Sequence, residues 1–214
     1  MGKVIRRTVI LCGVSVLVFS SLSFAQDGAT AQVKGTIDKV LDILRDPALK
    51  GPEKDEVRGQ QLRKVIFTRF DFPEMARRCL GVHWRNRTPQ ERKEFVDLFS
   101  DLLEQSYRNK IERYTDQVIQ YTGEQVEDSK FGVVNTEIVD KRENLEIPID
   151  YKVIRHGEDW KVYDVVIDGI SLVSNYRSQF NRIIQRGSFD ELVKRMRARQ
   201  EAEEMISESP KKER

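Results

Sequence analysis

Two cysteines and two histidines are all that 214 residues supply of the side chains most used to ligate metals or attack substrates. Neither type recurs at a zinc-binding spacing, and no second cysteine stands near the first to complete a site. The Gly-x-Ser-x-Gly elbow of hydrolases is absent, and Gly81 and Gly169 lack the neighbouring glycines of a phosphate-cradling loop. Proline and glycine are sparse as well, at 6 and 12 residues. With 39% hydrophobic and 34% charged residues, this excludes a collagen-like, disulfide-stapled or wholly disordered chain. Beyond residue 25 no apolar run approaches the roughly 18–20 residues of a membrane span, which predicts a soluble mature chain.

The apolar run that does occur lies at the start. Lys3, Arg6 and Arg7 precede an uncharged stretch from Thr8 to Phe19, followed by Ser23-Phe24-Ala25 before Gln26. A basic start, a short apolar centre and small residues at the first and third positions before a cut define a secretory signal peptide over residues 1–25. The stretch is too short for an anchor. Cys12 does not mark a lipoprotein, because Leu11 before it is not small and cleavage there would sever the apolar run almost at its beginning. Cleavage after Ala25 removes three of the 37 basic residues and none of the 35 acidic ones, so the formal balance moves from +2 to −1. The mature charge therefore calls for neither nucleic acid nor strong non-specific attraction to anionic membranes. Cys79 is left alone, so the exported chain has no internal disulfide and depends on its core.

Periodicity then changes in the order helices, strands, helices. Val33, Ile37, Val40, Leu41 and Leu44 mark an amphipathic helix stopping near Asp46-Pro47, and Val57, Leu62, Val65, Ile66 and Phe70 mark a second. Asp71, Pro73 and Glu74 open a short third helix ended by Gly81, and Thr88-Pro89-Gln90-Glu91 is a capping box for a long fourth. From about residue 117 the period drops to two, with short polar turns at Glu127–Lys130, Lys141–Asn144 and His156–Asp159. This predicts about four antiparallel strands in consecutive hairpins. Ser171 and Ser188 cap two further helices. The fold class is α+β: an antiparallel sheet covered on one face by several helices, in a single domain over residues 26–198, with a charged and disordered tail over 199–214.

Candidates for chemistry are few. His156 sits beside Gly157 in a turn, where a solvated role is ordinary, and His83 adjoins Trp84 after a helix stop, where packing or capping is expected. Asp164 lies between apolar neighbours in a strand, so it must find a partner, with Arg177 a candidate, or reach the sheet edge. A large apolar and aromatic inventory remains on the elements covering one sheet face. It fills a core or lines a pocket, and periodicity does not separate the two.

The run Val162-Tyr163-Asp164-Val165-Val166-Ile167-Asp168-Gly169-Ile170-Ser171-Leu172-Val173-Ser174-Asn175-Tyr176-Arg177-Ser178-Gln179-Phe180 closely resembles the signature of the MlaC family. These are periplasmic phospholipid-binding proteins of Gram-negative bacteria, also described as toluene-tolerance auxiliary proteins. Phe70-Asp71-Phe72, Met75-Ala76-Arg77, Leu80-Gly81, Trp84-Arg85, Thr88-Pro89, Glu91-Arg92 and Phe95 are similar to the family's helical segment, and Phe189-Asp190-Glu191-Leu192 to its closing helix. The similarity runs from Phe67 to about Leu192. Cys79 and His83 depart from it without touching the main signature.

The resemblance implies a soluble, non-enzymatic periplasmic carrier without a cofactor, whose cargo is phospholipid. Its implied partners are an outer-membrane lipoprotein complex and the substrate-binding subunit of an inner-membrane ABC transporter, and its role is to maintain outer-membrane lipid asymmetry. It also implies acyl chains buried between sheet and helices with the head group near solvent, in a monomer that meets membranes only through partners. Two chains of about 15 methylenes each, at about 0.8 kcal/mol per methylene, represent on the order of 25 kcal/mol of unfavourable hydration, so a carrier must bury them. Alternation assigns Leu145, Ile147, Ile149, Tyr151, Tyr163, Val165 and Ile167 to the lining strands. Phe99, Leu103, Tyr107, Leu172, Tyr176 and Phe180 complete the candidate lining. A hopanoid or single-chain fatty acid in the same fold is the first alternative cargo. An enzyme pairing Asp164 with His156 is the alternative from another class.

Overall fold

The computed structural model describes residues 28–113, 117–140 and 144–208; the expected signal peptide lies outside them. Six helices and five strands follow one another as α1 (Ala29–Arg45), α2 (Asp55–Arg69), α3 (Phe72–Leu80), α4 (Pro89–Glu112), β1 (Val118–Glu127), β2 (Phe131–Asp140), β3 (Leu145–His156), β4 (Asp159–Ile167), β5 (Ile170–Ser171), α5 (Leu172–Arg186) and α6 (Phe189–Glu208). Short 3₁₀ turns occupy Pro47–Leu49, Pro52–Lys54 and Gly81–Asn86.

Helix starts follow the side chains that can satisfy orphan amides. Asp71 accepts from the Glu74 amide at 2.9 Å, Ser171 from Ser174 at 3.0 Å and Ser188 from Glu191 at 3.1 Å. Thr88 and Glu91 form both arms of the capping box that opens α4. Gly81 stops α3 at φ 53°, a conformation that disfavours other residues, and a Cβ there would stand 3.0 Å from the Arg177 guanidinium. Helix α6 continues to Glu208, past the point where the ordered chain was expected to end. Residues 199–208 are mostly Arg, Gln, Glu, Ala and Met, which favour helix despite their charge, and Gln200 and Arg199 reach Asp101 and Ser106 on α4.

The sheet is antiparallel in the order β1-β2-β3-β4-β5. It holds the four expected strands and adds a two-residue fifth, the return of β4 through the Asp168-Gly169 turn. Two bulges shift its register, one at Thr122 in β1 and one at Tyr163 in β4. Helix α1 lies across one face, which we call the inner face; α3 and α5 close on the β4 edge. Phe70 bridges to Val162, and the Asp71 amide donates to the Val162 carbonyl at 2.8 Å, tying the α2–α3 junction to that edge.

Two apolar clusters result. One is helical, built on Phe95, Phe99, Leu80, Met75, Phe180 and Leu192 from α3 to α6. The other lies between the inner sheet face and α1, and Tyr107 and Phe70 border both.

Candidate functional site: a graded cleft between sheet and helix α1

The inner face is contributed by Val134, Thr136 and Ile138 of β2, Ile147, Ile149, Tyr151 and Val153 of β3, and Trp160, Val162, Val165 and Ile167 of β4. Its burial is graded along the strands. Toward the β3–β4 turn, Ala29, Val134, Val153 and Val162 are 0% exposed and Val33 2%. A Cβ at Gly132 would stand 2.9 Å from the Gln125 carbonyl oxygen and 3.3 Å from Val153, so that end has no spare room. It is also latched. The Trp160 amide donates to Gln32 Oε1 at 2.9 Å, Arg69 donates to the same oxygen at 2.7 Å and to the Trp160 carbonyl, and Gln32 Nε2 reaches the Glu158 carbonyl.

Toward the opposite end the same face opens. Ile37, Tyr107, Ile119, Tyr121, Ile147, Tyr151 and Ile167 are all apolar or aromatic and all only partly buried, although β3 is a central strand. At the rim Leu145 and Ile170 are exposed at 43% and 62%. Solvated apolar surface of this kind is costly, and on the inner face of a central strand it makes this end of the face the candidate site.

Tyrosines punctuate the open half. Burial pushes the Tyr151 phenol up to about 12, yet the side chain keeps accessible surface and its hydroxyl has no hydrogen-bond partner among the described residues. Burial also raises the phenols of Tyr121 and Tyr107. The Tyr121 hydroxyl is buried without a hydrogen-bond partner among the described residues, while Lys34 of α1 stands over its ring at 5.7 Å.

The structure sorts the residues singled out from sequence. Ile147, Ile149, Tyr151, Val165 and Ile167 share the inner face, with Tyr107 and Leu172 bordering it. Tyr163 does not. It is the bulged residue, so alternation breaks at it, and Val162 takes the inward place while Tyr163 packs outward against Phe131 and under Arg78 at 4.1 Å. Leu145 has inward parity but sits at the exposed rim. Phe99, Leu103, Tyr176 and Phe180 belong to the helical cluster, where Phe99 stacks edge-on against both Tyr176 and Phe180. Helical periodicity identified a buried face without saying which layer it met. Ile37, Ile119, Tyr121 and Ile138 were missed at the inner face, as were Val153 and Val162 at its packed end. The pairing of β1 with β2 carries Ile119 and Tyr121 inward, but the bulge at Thr122 obscures the alternation of β1.

Asp164 and His156 are held apart in separate structural roles. Asp164, 4% exposed, accepts from Ser171 Oγ at 2.7 Å and the Val173 amide at 3.0 Å, with Lys152 Nζ 3.5 Å away. Its partners are thus the start of α5 and a cross-strand lysine, not Arg177. A carboxylate is well placed there, at a helix N-terminus. His156 meets Asp71 Oδ2 at 2.8 Å, joining the β3–β4 turn to the cap of α3, and His83 meets Asn181 Oδ1 at 2.9 Å. The Cys79 thiol is buried, raised by burial and directed at the Val173 carbonyl at 3.6 Å. Among the described residues no group of three His, Cys, Asp or Glu side chains is placed to hold a metal, and no helix is long and apolar enough to cross a membrane.

Comparison with known proteins bears on this cleft. The family model described as MlaC protein matches residues 34–198. The toluene tolerance protein ttg2D of Pseudomonas putida is 24% identical over 191 residues, covering 89% of this chain and 87% of that one. The intermembrane phospholipid transport system binding protein MlaC of Haemophilus influenzae is 25% identical over 122 residues, 56% of this chain and 57% of that one. A phospholipid-binding protein from Ralstonia solanacearum, solved in complex with a phospholipid, superposes with a TM-score of 0.71 at 28% identity, covering 81% of this chain and 97% of that structure.

Proposed function

The chain belongs to the MlaC family, and from that premise we propose that it is a non-enzymatic periplasmic phospholipid carrier, exported by a cleaved signal peptide. One observation supports this reading above the others: the inner sheet face is tightly packed at one end and lined by partly solvated apolar residues at the other. Acyl chains entering past Leu145 and Ile170 would cover Ile119, Tyr121, Ile147, Tyr151 and Ile167 and stop at Val153 and Val162. From Leu145 to Tyr151 the strand runs about 20 Å at roughly 3.3 Å per residue, close to the length of an extended chain of about 15 methylenes. The head group then stays at the rim, in water, which eases handover. Domain and site together serve a shuttle that receives phospholipid from an outer-membrane lipoprotein complex and exchanges it with an inner-membrane ABC transporter, maintaining the asymmetry of the outer membrane.

Rebinding tests the reading. Delipidated protein that keeps its circular dichroism spectrum should take up diacyl phospholipid from donor vesicles at about one molecule per chain, competed poorly by a hopanoid or a fatty acid. Failure to rebind phospholipid with the fold intact overturns it.

A further inference from the structure

The helical layer carries a second concavity, remote from the cleft. Arg182, Ile183, Arg186 and Gly187 at the end of α5, with Glu191 and Arg195 in the first turns of α6, line a half-open hollow of about 490 Å³, a size suited to a small ligand. Arg182 stands ten residues along α5 from Leu172, about 15 Å at the helical rise, so the hollow does not belong to the sheet–α1 site.

Its charges are not balanced from within. Arg195 donates to Glu191 at 2.7 Å, and that hydrogen bond holds the Glu191 carboxyl below its usual range. Arg182 and Arg186 have no ionic or hydrogen-bonded partner among the described residues. They lie four apart on one helix, where like charges repel. Around them, seven Lys and Arg stand against three Asp and Glu between Leu172 and Ala202, in a chain whose overall charge is close to zero. An anion in the hollow would relieve this repulsion.

Ligand geometry narrows the choice. A planar carboxylate is satisfied by one guanidinium fork, whereas a tetrahedral phosphate has oxygens for two forks at once, such as those of Arg182 and Arg186 on successive turns of α5. We propose that this hollow is a binding site for a phosphate group, either the ester of a free small molecule or a head group presented by a bilayer, with Arg182 and Arg186 as its principal ligands.

The two sources are separated by titrating the purified chain with glycerol 3-phosphate and, in a second arm, by co-sedimentation with phosphatidylglycerol vesicles at low salt. Both arms are repeated with Arg182→Ser/Arg186→Ser and with Lys39→Ser/Lys64→Ser, which removes equal charge from exposed positions on α1 and α2. Binding in at least one arm should weaken by about tenfold or more in the arginine pair and stay within about threefold in the lysine pair, as expected for the loss of two charge-assisted contacts. The responding arm names the source. The proposal is overturned by no saturable binding in either arm, by equal loss in both variants, or by a polyglutamate peptide binding in place of phosphate.

Discussion

Placing a tryptophan at either end of the inner sheet face separates a cleft from a filled core. Ile147 is partly buried, opposite Ile138 in the open half, whereas Val153 is 0% exposed, opposite Val162 and pressed against Gly132. At Val153 a larger side chain has nowhere to go, and overpacking typically costs about 1–3 kcal/mol. For a chain of this length that is roughly 2–4 °C of melting temperature per kcal/mol. At Ile147 the indole extends into the cleft, so the lipid-free melting temperature should stay close to that of the parent. It then occupies the space of about four to six methylenes, which at about 0.8 kcal/mol each removes about 3–5 kcal/mol of tail burial. Phospholipid affinity should fall about a hundredfold or more. Melting temperature and lipid loading are read on the same delipidated and reloaded preparations, because bound lipid itself stabilises the fold. The reasoning is refuted if Ile147→Trp melts as low as Val153→Trp while lipid loading is unchanged, since the sheet–α1 layer would then be filled along its whole length.

Other substitutions test the supporting chemistry. Asp164→Ala leaves the Val173 amide and Ser171 hydroxyl without their acceptor and should cost about 1–3 kcal/mol for each donor left buried, read as a lower urea midpoint; a change below about 0.5 kcal/mol would contradict the role assigned to it. Gly81→Ala must adopt φ 53° and displace Arg177, and should cost about 1–3 kcal/mol in the same assay. The Tyr151 phenol, raised to about 12, stays protonated in the folded chain while the unfolded chain ionises near pH 10. Stability is therefore fully present below about pH 10 and falls as pH rises toward 12, by up to about 1.4 kcal/mol per pH unit. Tyr151→Phe should flatten that decline, and identical urea midpoints against pH for parent and variant would count against the burial of this hydroxyl. Cys79, buried and raised, should react with a thiol reagent only as fast as the chain unfolds, and modification of the native chain at the rate of a free thiol would show it to be accessible.

Local signals in the sequence carried most of the fold. Asp71, Thr88, Ser171 and Ser188 are self-contained caps, each satisfied by an amide three residues on, so helix starts could be placed without knowing the tertiary structure. The hairpin turns at Asp128 and Gly157 were equally local. The site was less legible because it depends on register. A bulge at Tyr163 shifts the inward phase of β4 by one residue, which exchanges Val162 for Tyr163 while leaving Val165 and Ile167 in place. The partition of the aromatic residues was also hidden. Phe99 and Tyr107 lie on the same stripe of α4, but two turns of helix separate a residue packed on α5 from one that borders the sheet. Asp164 found its partners through a chain reversal, the β4–β5 turn, that no pairwise spacing announces.

The central claim is that acyl chains lie between the inner sheet face and α1 with their ends toward the packed end at Trp160. Trp84→Phe leaves Trp160 as the only tryptophan, 5% exposed behind Val153 and Val162. Loading this variant with phospholipids brominated at successive depths measures the orientation through quenching of its fluorescence. Bromine at the chain ends should quench Trp160 strongly and bromine next to the glycerol should not. Quenching that is strongest near the glycerol, or absent at every depth while lipid remains bound, would contradict the account.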